Sequence, residues 1–194
     1  MKNLLLLVNK ENEIIGYEEK MNVHRLRKLH RAFSLFIYSQ NDKKFLLQKR
    51  SENKYHSGGK WSNSCCSHPY KNETWYESLQ RSASDELNLT LDIHKEINCD
   101  SMREPQYIDD NLFFAGTFIY YSDYNELSEH EFDYVFIYVM NYDKQNINFN
   151  ESEVSAIEWL TLSDIDEWIE KHPNDFSSWF NNALNLVKKS LGSL

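Results

Sequence analysis

The chain has 194 residues, 41% hydrophobic and 26% charged, with only 5 Gly and 3 Pro. That balance supplies the core of one domain and excludes disordered, collagen-like and low-complexity classes. The sequence has no uninterrupted apolar stretch long enough to span a bilayer, and a formal net charge of −9 makes nucleic acid or an anionic membrane a poor default partner.

In chain order, Met1-Lys2-Asn3-Leu4-Leu5-Leu6-Leu7-Val8 is followed at once by Asn9-Lys10-Glu11, so the run 3–8 reads as a strand rather than a signal peptide. Further strands are predicted at 32–38, 44–48, 112–121, 132–140 and 154–160, all rich in Phe, Ile, Leu, Val and Tyr. Asn41-Asp42-Lys43 reads as a hairpin turn. Leu79, Ala83 and Leu87 recur at i, i+4 and i+8, which predicts a helix over 73–87. Ser163 is the expected N-cap of a helix whose apolar stripe is Ile165, Trp168 and Ile169. After His172-Pro173, residues 176–191 give another amphipathic helix with Phe180, Leu184, Val187 and Leu191. Strands and helices mix without βαβα alternation. That predicts an α+β fold, with helices packed on a mixed or antiparallel sheet. The expected organisation is one domain over 1–194, its core at roughly 30–160 and C-terminal helices over 161–191.

Charge and thiols narrow the chemistry. Residues 20–60 carry eleven Lys/Arg against Asp42 and Glu52, a local charge of +9 that leaves −18 elsewhere. A solvated basic face and a pocket for a small polyanion such as a diphosphate both fit this. Three cysteines, two of them adjacent, are too few for a disulfide framework and predict free thiols in a cytoplasmic protein.

Four clusters carry possible chemistry. In Trp61-Ser62-Asn63-Ser64-Cys65-Cys66-Ser67-His68-Pro69, Cys66 and His68 share a face if the segment is extended. Either Cys66 is a reactive thiol beside a ligand, or it is a buried structural cysteine beside a surface histidine. In Glu129-His130-Glu131 the two carboxylates share one strand face and His130 takes the other. They would need a cation or a shared proton, unless the triplet is a solvated strand end. His24 and His30 are six apart, neither a helical nor a zinc-finger spacing. Three imidazoles and two carboxylates (His24, His30, His68, Glu129, Glu131) suit zinc, manganese or iron. Finally, Glu73 and Arg81-Ser82-Ala83-Ser84-Asp85-Glu86-Leu87 resemble in outline the Nudix signature, whose helix carries acidic ligands for Mg²⁺ on a diphosphate. Ser82 stands there in place of an acid, and Asn88 in place of a glycine; an ordinary surface helix also fits. His56, His94, His172 and Cys99 suggest only structural or surface positions.

Taken in order, His24, His30-Arg31-Ala32-Phe33-Ser34, Leu47-Gln48-Lys49-Arg50-Ser51, Trp61 to Pro69, Glu129-His130-Glu131 and Ser178-Trp179 make the chain resemble the type 1 isopentenyl-diphosphate delta-isomerases of the Nudix superfamily. The likeness runs from about Lys20 to Trp179. It implies interconversion of isopentenyl and dimethylallyl diphosphate on a mixed-sheet Nudix core with N- and C-terminal additions. It implies Cys66 and Glu131 as catalytic acid/base groups, Tyr121 as the active-site tyrosine with Tyr120 as the alternative, and Trp179 facing the hydrocarbon tail. His24, His30, His68, Glu129 and Glu131 match the site of a tightly held divalent metal, which would be zinc, manganese or magnesium. Lys20, Arg50 and Lys54 match diphosphate-binding positions, and Glu86 matches the ligand of a Mg²⁺ carried on the diphosphate. A further arginine of the family falls on Ser82, next to Arg81. The implied partner is a small diphosphate, with no nucleic acid or membrane, and the implied assembly is a monomer or weak homodimer. A Nudix hydrolase and a non-catalytic diphosphate-binding module are the competing readings; Cys66-Ser67-His68 has no task in the first.

Overall fold

The computed structural model describes residues 4–93, 97–140 and 147–193. His94 and the start of the 3–8 run lie outside the described residues. The strands are β1 (Leu4–Val8), β2 (Ile14–Glu19), β3 (His30–Ser39), β4 (Lys44–Arg50), β5 (Trp61–Ser62), β6 (Cys65–Ser67), β7 (Gln106–Tyr107), β8 (Leu112–Tyr124), β9 (Leu127–Met140) and β10 (Val154–Leu160). The α-helices are α1 (Lys20–Arg25), α2 (Trp75–Leu87), α3 (Leu162–Lys171) and α4 (Phe180–Ser190). The main sheet runs β10-β4-β3-β9-β8-β7, with β1 and β6 attached to β3, β2 to β1, and β5 to β4.

β3 and β9 run parallel at its centre, with Phe33 beside Tyr134 and Leu35 beside Phe136. The other strand pairs are antiparallel. Both central strands are apolar at consecutive positions because both of their faces are covered. Phe33, Leu35, Tyr134 and Phe136 pack with Leu79, Ala83 and Leu87 of α2. Phe36, Val135 and Ile137 pack with Phe180, Ala183, Leu184 and Val187 of α4. Each such side chain contributes about 1.5–3 kcal/mol by leaving water. The result is a mixed sheet between two helical layers, which bears out the α+β, Nudix-like expectation.

The differences from expectation are local. The first helix of the C-terminal pair is capped by Thr161, not Ser163. Thr161 is extended, its hydroxyl accepts from the Asp164 amide, and the Asp164 side chain closes a capping box. Ser163 lies inside the first turn. α4 starts later than expected because Pro173–Asp175 forms a separate 3₁₀ turn. At the end of α2, Asn88 adopts φ 51° and caps the helix, which is why it can replace a glycine there. α1, β2 and the two- and three-residue strands escaped the sequence because they are too short to show a period.

One irregularity decides the site. On β8, Phe113 and Ala115 face the α4 layer. Strict alternation from there would bring Ile119 and Tyr121 to that face. A bulge between Phe114 and Gly116 inserts one residue and reverses the parity, so Phe118 and Tyr120 take that side. Gly116 makes the bulge with φ +134°, and a Cβ there would also come within 3.3 Å of Leu186.

Candidate active site

Strand register brings the scattered motifs together. His30 pairs with Glu131 across β3 and β9, and Tyr120 pairs with Glu131 across β8 and β9. The three therefore form one row over three strands. Glu129, two residues along β9, shares the face of Glu131. β6 lies along β3 and sets Cys66 opposite Ser34, with His68 just past the strand end. α1 contributes His24, whose ring centroid is 5.0 Å from that of His30. His24, His30 and His68 are buried and offer nitrogens that all lie within 4.8 Å of one another.

The donor set suits a cation. His24 Nδ1 sits 2.9 Å from the Ser128 carbonyl oxygen, and His30 Nδ1 sits 2.9 Å from the Lys28 carbonyl oxygen. A carbonyl only accepts, so each Nδ1 carries the proton and each Nε2 is left with a bare lone pair. Both Nε2 atoms are buried without a hydrogen-bond partner. His30 Nε2 faces Glu131 Oε1 at 3.5 Å. A lone pair opposed to a carboxylate is unfavourable unless a proton or a metal sits between them. His68 Nε2 approaches the same oxygen at 2.9 Å. Backbone carbonyls that lock the imidazole tautomer are the usual support of a metal site. The His/Glu cluster can thus hold a metal ion.

Burial and neighbours set the protonation of the metal-free site. Burial lowers the His24 imidazole to about 4 and holds His68 well below its usual range. Burial would raise Glu131, yet hydrogen bonds and charge from His30 and His68, supplied when those imidazoles carry a proton toward it, hold it well below the carboxylate range. Burial raises Glu129, against a hydrogen bond from His56. Cys66 is pushed up to about 12 by burial, although the guanidinium of Arg50 opposes the shift. Arg50 Nη1 donates to Cys66 Sγ at 3.2 Å.

Position separates the two tyrosines: the fold brings Tyr120, the alternative, to the carboxylates and turns Tyr121 away from them. Tyr121 is 47% exposed and donates to Asp123 at 2.6 Å. It lies on the same side as His130, opposite the carboxylates. Tyr120 is buried, donates to Glu131 Oε2 at 2.6 Å and reaches Glu129 Oε2 at 3.3 Å. The bulge at Gly116 is the physical reason.

A cleft of about 520 Å³ runs from this cluster to the basic segment. Lys20, Arg50, Lys54 and Glu86 line it together with Cys66 and Trp179. Glu86 is buried, and its two oxygens accept from Gln48 Nε2 and Ser82 Oγ, each at 2.7 Å. Ser82 therefore supports Glu86 rather than reaching into the cleft as a cation. Arg81 lines the cleft, pinned by Glu73, Ser67 Oγ and the His68 carbonyl. Trp179 ends the loop before α4, donates to Asn63 Oδ1 at 3.0 Å, and has the Arg50 guanidinium over its ring at 5.2 Å.

Two residues escaped sequence reading. His56 is buried in the site, with Nδ1 3.1 Å from Glu129 Oε1. Of the two positions expected for it, structural or surface, the fold gives it a buried one beside Glu129. Asp133 is buried beside Ser34 Oγ at 3.0 Å, and burial together with Glu131 raises its carboxyl well above the usual range. The signal for Asp133 was its place two residues past Glu131 on one strand face. His56 sits in an irregular loop with no period to betray it. Cys99 is buried and His172 exposed, both away from the cleft.

A NUDIX domain model matches residues 28–180. Over 190 residues the chain is 38% identical to an isopentenyl-diphosphate Delta-isomerase of Aliivibrio fischeri (strain MJ11), covering 96% of each chain. Over 188 residues it is 31% identical to isopentenyl-diphosphate Delta-isomerase 2 of Aromatoleum aromaticum, covering 96% of this chain and 87% of that one. Among solved structures, a Deinococcus radiodurans protein superposes with a TM-score of 0.67 at 18% identity, covering 95% of this chain and 98% of that one. A MutT protein from Methanosarcina mazei Go1 follows with 0.57 at 15%, covering 84% and 96%. At such identities these two structures speak for the fold alone.

Proposed function

Because the chain belongs to the isopentenyl-diphosphate Delta-isomerase family of Nudix domains, we propose that it interconverts isopentenyl and dimethylallyl diphosphate in isoprenoid biosynthesis. One observation carries the reading: Cys66 and Glu131 line the same cleft as Lys20, Arg50, Lys54 and Glu86. A hydrolase would need the acidic end alone.

The chemistry asks for what this cleft holds. The substrate double bond is unactivated, and protonating its terminal methylene leaves a tertiary carbocation. Removing a proton from the neighbouring allylic carbon completes the shift. Cys66 and Glu131 serve as the two proton-transfer groups, one delivering and the other accepting, and they exchange roles in the reverse direction. Arg50, against the Cys66 sulfur, offsets the charge when the thiol gives up its proton. Tyr120 fixes the orientation of the Glu131 carboxyl through its 2.6 Å hydrogen bond. The ring of Trp179 opposes the positive charge of the carbocation, by ~2 kcal/mol or more when desolvated. Burial of Tyr120 and Trp179 keeps out water that would trap the cation as an alcohol.

Lys20, Arg50 and Lys54 would bind the diphosphate, and Glu86 would hold a Mg²⁺ that comes with it. His24, His30, His68, Glu129 and Glu131 would hold a second divalent ion: zinc, manganese or magnesium. When bound, that ion supplies fixed positive charge that biases the orientation and protonation of Glu131. The partner is thus a small diphosphate, in keeping with a cytoplasmic enzyme. No helix among the described residues is long and apolar enough to cross a membrane.

Incubation with isotopically labelled isopentenyl diphosphate, with products resolved by mass and NMR, tests the reading. Dimethylallyl diphosphate in equilibrium with substrate is the expected result. Release of phosphate or a monophosphate without the isomer would instead make the protein a hydrolase.

A further inference from the structure

We propose that His56 is a positioning residue that holds the Glu129 carboxylate in its metal-binding orientation, so that the centre carries a fourth, outer histidine. This rests on the proposed use of Glu129 as a metal ligand.

The placement is built, not incidental. His56 is 3% exposed and lies on the loop between β4 and β5. That loop is closed at its base, where Arg50 N donates to the Lys60 carbonyl at 2.8 Å and Gly59 N to the Arg50 carbonyl at 3.1 Å. A Cβ on Gly58 would collide with the Glu52 carbonyl oxygen at 2.7 Å, and Gly59 has φ +72°, so the tight return needs both glycines. The turn aims the imidazole inward. One face stacks on Tyr124 with centroids 4.8 Å apart, and its edge meets His24 at 4.7 Å. Tyr124 is itself fixed by hydroxyl contacts to Ser57 at 2.8 Å and Ser178 at 2.9 Å.

The hydrogen bonding gives the direction of action. His56 Nδ1 donates to Glu129 Oε1 at 3.1 Å, while the other oxygen of Glu129 meets Tyr120 Oη at 3.3 Å. The one hydroxyl proton of Tyr120 goes to Glu131 at 2.6 Å, so the hydrogen bond that orients Glu129 comes from His56. The three nitrogens gathered at the centre belong to His24, His30 and His68, which places His56 one layer out. Its peptide does separate work, since the His56 carbonyl accepts from Arg50 Nε at 3.3 Å and Nη2 at 3.1 Å. Side-chain substitution therefore probes the grip on Glu129 while leaving the backbone acceptor for Arg50 in place.

The test is metal affinity, read apart from isomerisation. Zn²⁺ binding is measured by competition with a chromophoric chelator, and Co²⁺ loading gives a visible spectrum that reports the ligand set. His56→Phe keeps a ring against Tyr124 but cannot donate. His56→Asn keeps a donor near the place of Nδ1. Losing one such outer hydrogen bond is expected to weaken binding by about 10–100-fold. His56→Phe should show that loss, and His56→Asn should recover most of it with the Co²⁺ spectrum of the unmodified protein. If both variants bind like the parent, His56 is only a wall of the cleft. If both lose affinity equally and the Co²⁺ spectrum changes, His56 ligates the metal directly. Either outcome overturns the positioning role. Glu129→Gln tests the underlying metal site on its own: unchanged affinity in that variant would remove Glu129 from the ligand set whatever the His56 variants do.

Discussion

Tyr120 stands opposite Glu131 in the β8–β9 hairpin and donates to it at 2.6 Å, because one extra residue at Gly116 turns Tyr120 inward and Tyr121 outward. The two adjacent tyrosines are therefore predicted to differ sharply. Tyr120→Phe removes a hydrogen bond to a buried charged group, worth about 1.5–3 kcal/mol, so turnover should fall by about 10–100-fold. Tyr121→Phe should stay within about twofold, as surface changes usually do. Steady-state kinetics on the pair decides it. A larger loss at Tyr121 would mean that β8 carries no bulge in solution.

That bulge also shows where sequence reading ran out. The apolar runs of β3 and β9 and the 79/83/87 stripe of α2 were legible because a covered sheet and an amphipathic helix impose their own periods. The carboxylate pair Glu129 and Glu131 was legible because alternation is local. Which tyrosine faced that pair was not, since a single inserted residue reverses parity without changing composition. His24 and His30 looked unrelated at a spacing of six. They meet because α1 ends and the chain turns back into β3 between them. His56 was invisible for a different reason. Its burial depends on the return at Gly58-Gly59 and on Tyr124, which lies far along the chain.

Cys66 should be the essential thiol. Cys66→Ala is predicted to cost several orders of magnitude in turnover, within the range of about 10²–10⁴ for a lost acid/base group, with metal content intact. Cys65 is fully buried in the α2-side core, so Cys65→Ala should mainly cost stability, about 1 kcal/mol. The thiol of Cys66, pushed up to about 12, carries its proton at neutral pH. Iodoacetamide labelling at Cys66, followed by peptide mass spectrometry, should therefore be slow and show no inflection between pH 7 and about 10. An inflection near pH 8 would show a solvated, unperturbed thiol and count against this environment.

Acid should weaken the metal-free protein through His24. Its folded imidazole titrates at about 4 against a normal value of 6.5, so as pH falls the unfolded chain takes up the proton first. Stability from this group is full above about pH 6.5 and is lost progressively down to about pH 4. The loss is on the order of 3 kcal/mol. Urea denaturation of chelator-treated protein across that window measures it, and the difference between the parent chain and His24→Asn isolates the one group from the neighbouring carboxyls. Parallel pH profiles for the two proteins would show that His24 protonates in the folded state without penalty. Bound metal should extend the effect to lower pH, because it holds the lone pair against the proton until acid displaces it.

Glu86 and Ser82 should act together on magnesium. Ser82→Ala removes one of two hydrogen bonds that orient the Glu86 carboxylate. It is predicted to raise the Mg²⁺ concentration for half-maximal activity by about tenfold. Glu86→Gln should raise it further while leaving the metal held by His24, His30 and His68 in place, as elemental analysis of the purified variant would show. If Ser82→Ala left the Mg²⁺ requirement unchanged, the hydroxyl would serve only to satisfy a buried carboxylate.

Arg50 and Trp179 touch each other but should fail in different ways. Trp179→Ala removes a ring whose benefit arises only as the carbocation forms, so kcat should fall with KM little changed. Trp179→Phe keeps a weaker aromatic face and should retain more activity than the alanine variant, even though it loses the hydrogen bond to Asn63. Arg50→Ala should raise KM first, because the diphosphate is bound in the ground state as well as the transition state. It should also lower kcat, because the guanidinium 3.2 Å from Cys66 Sγ no longer stabilises the buried thiolate. Arg50→Lys should restore part of the KM effect, as a point charge still attracts phosphate. It should restore little of kcat, because an ammonium cannot both span to Cys66 and hold the His56 carbonyl as the planar fork does. If Trp179→Ala raised KM and left kcat untouched, the ring would be a wall for the hydrocarbon tail and not a partner of the cation.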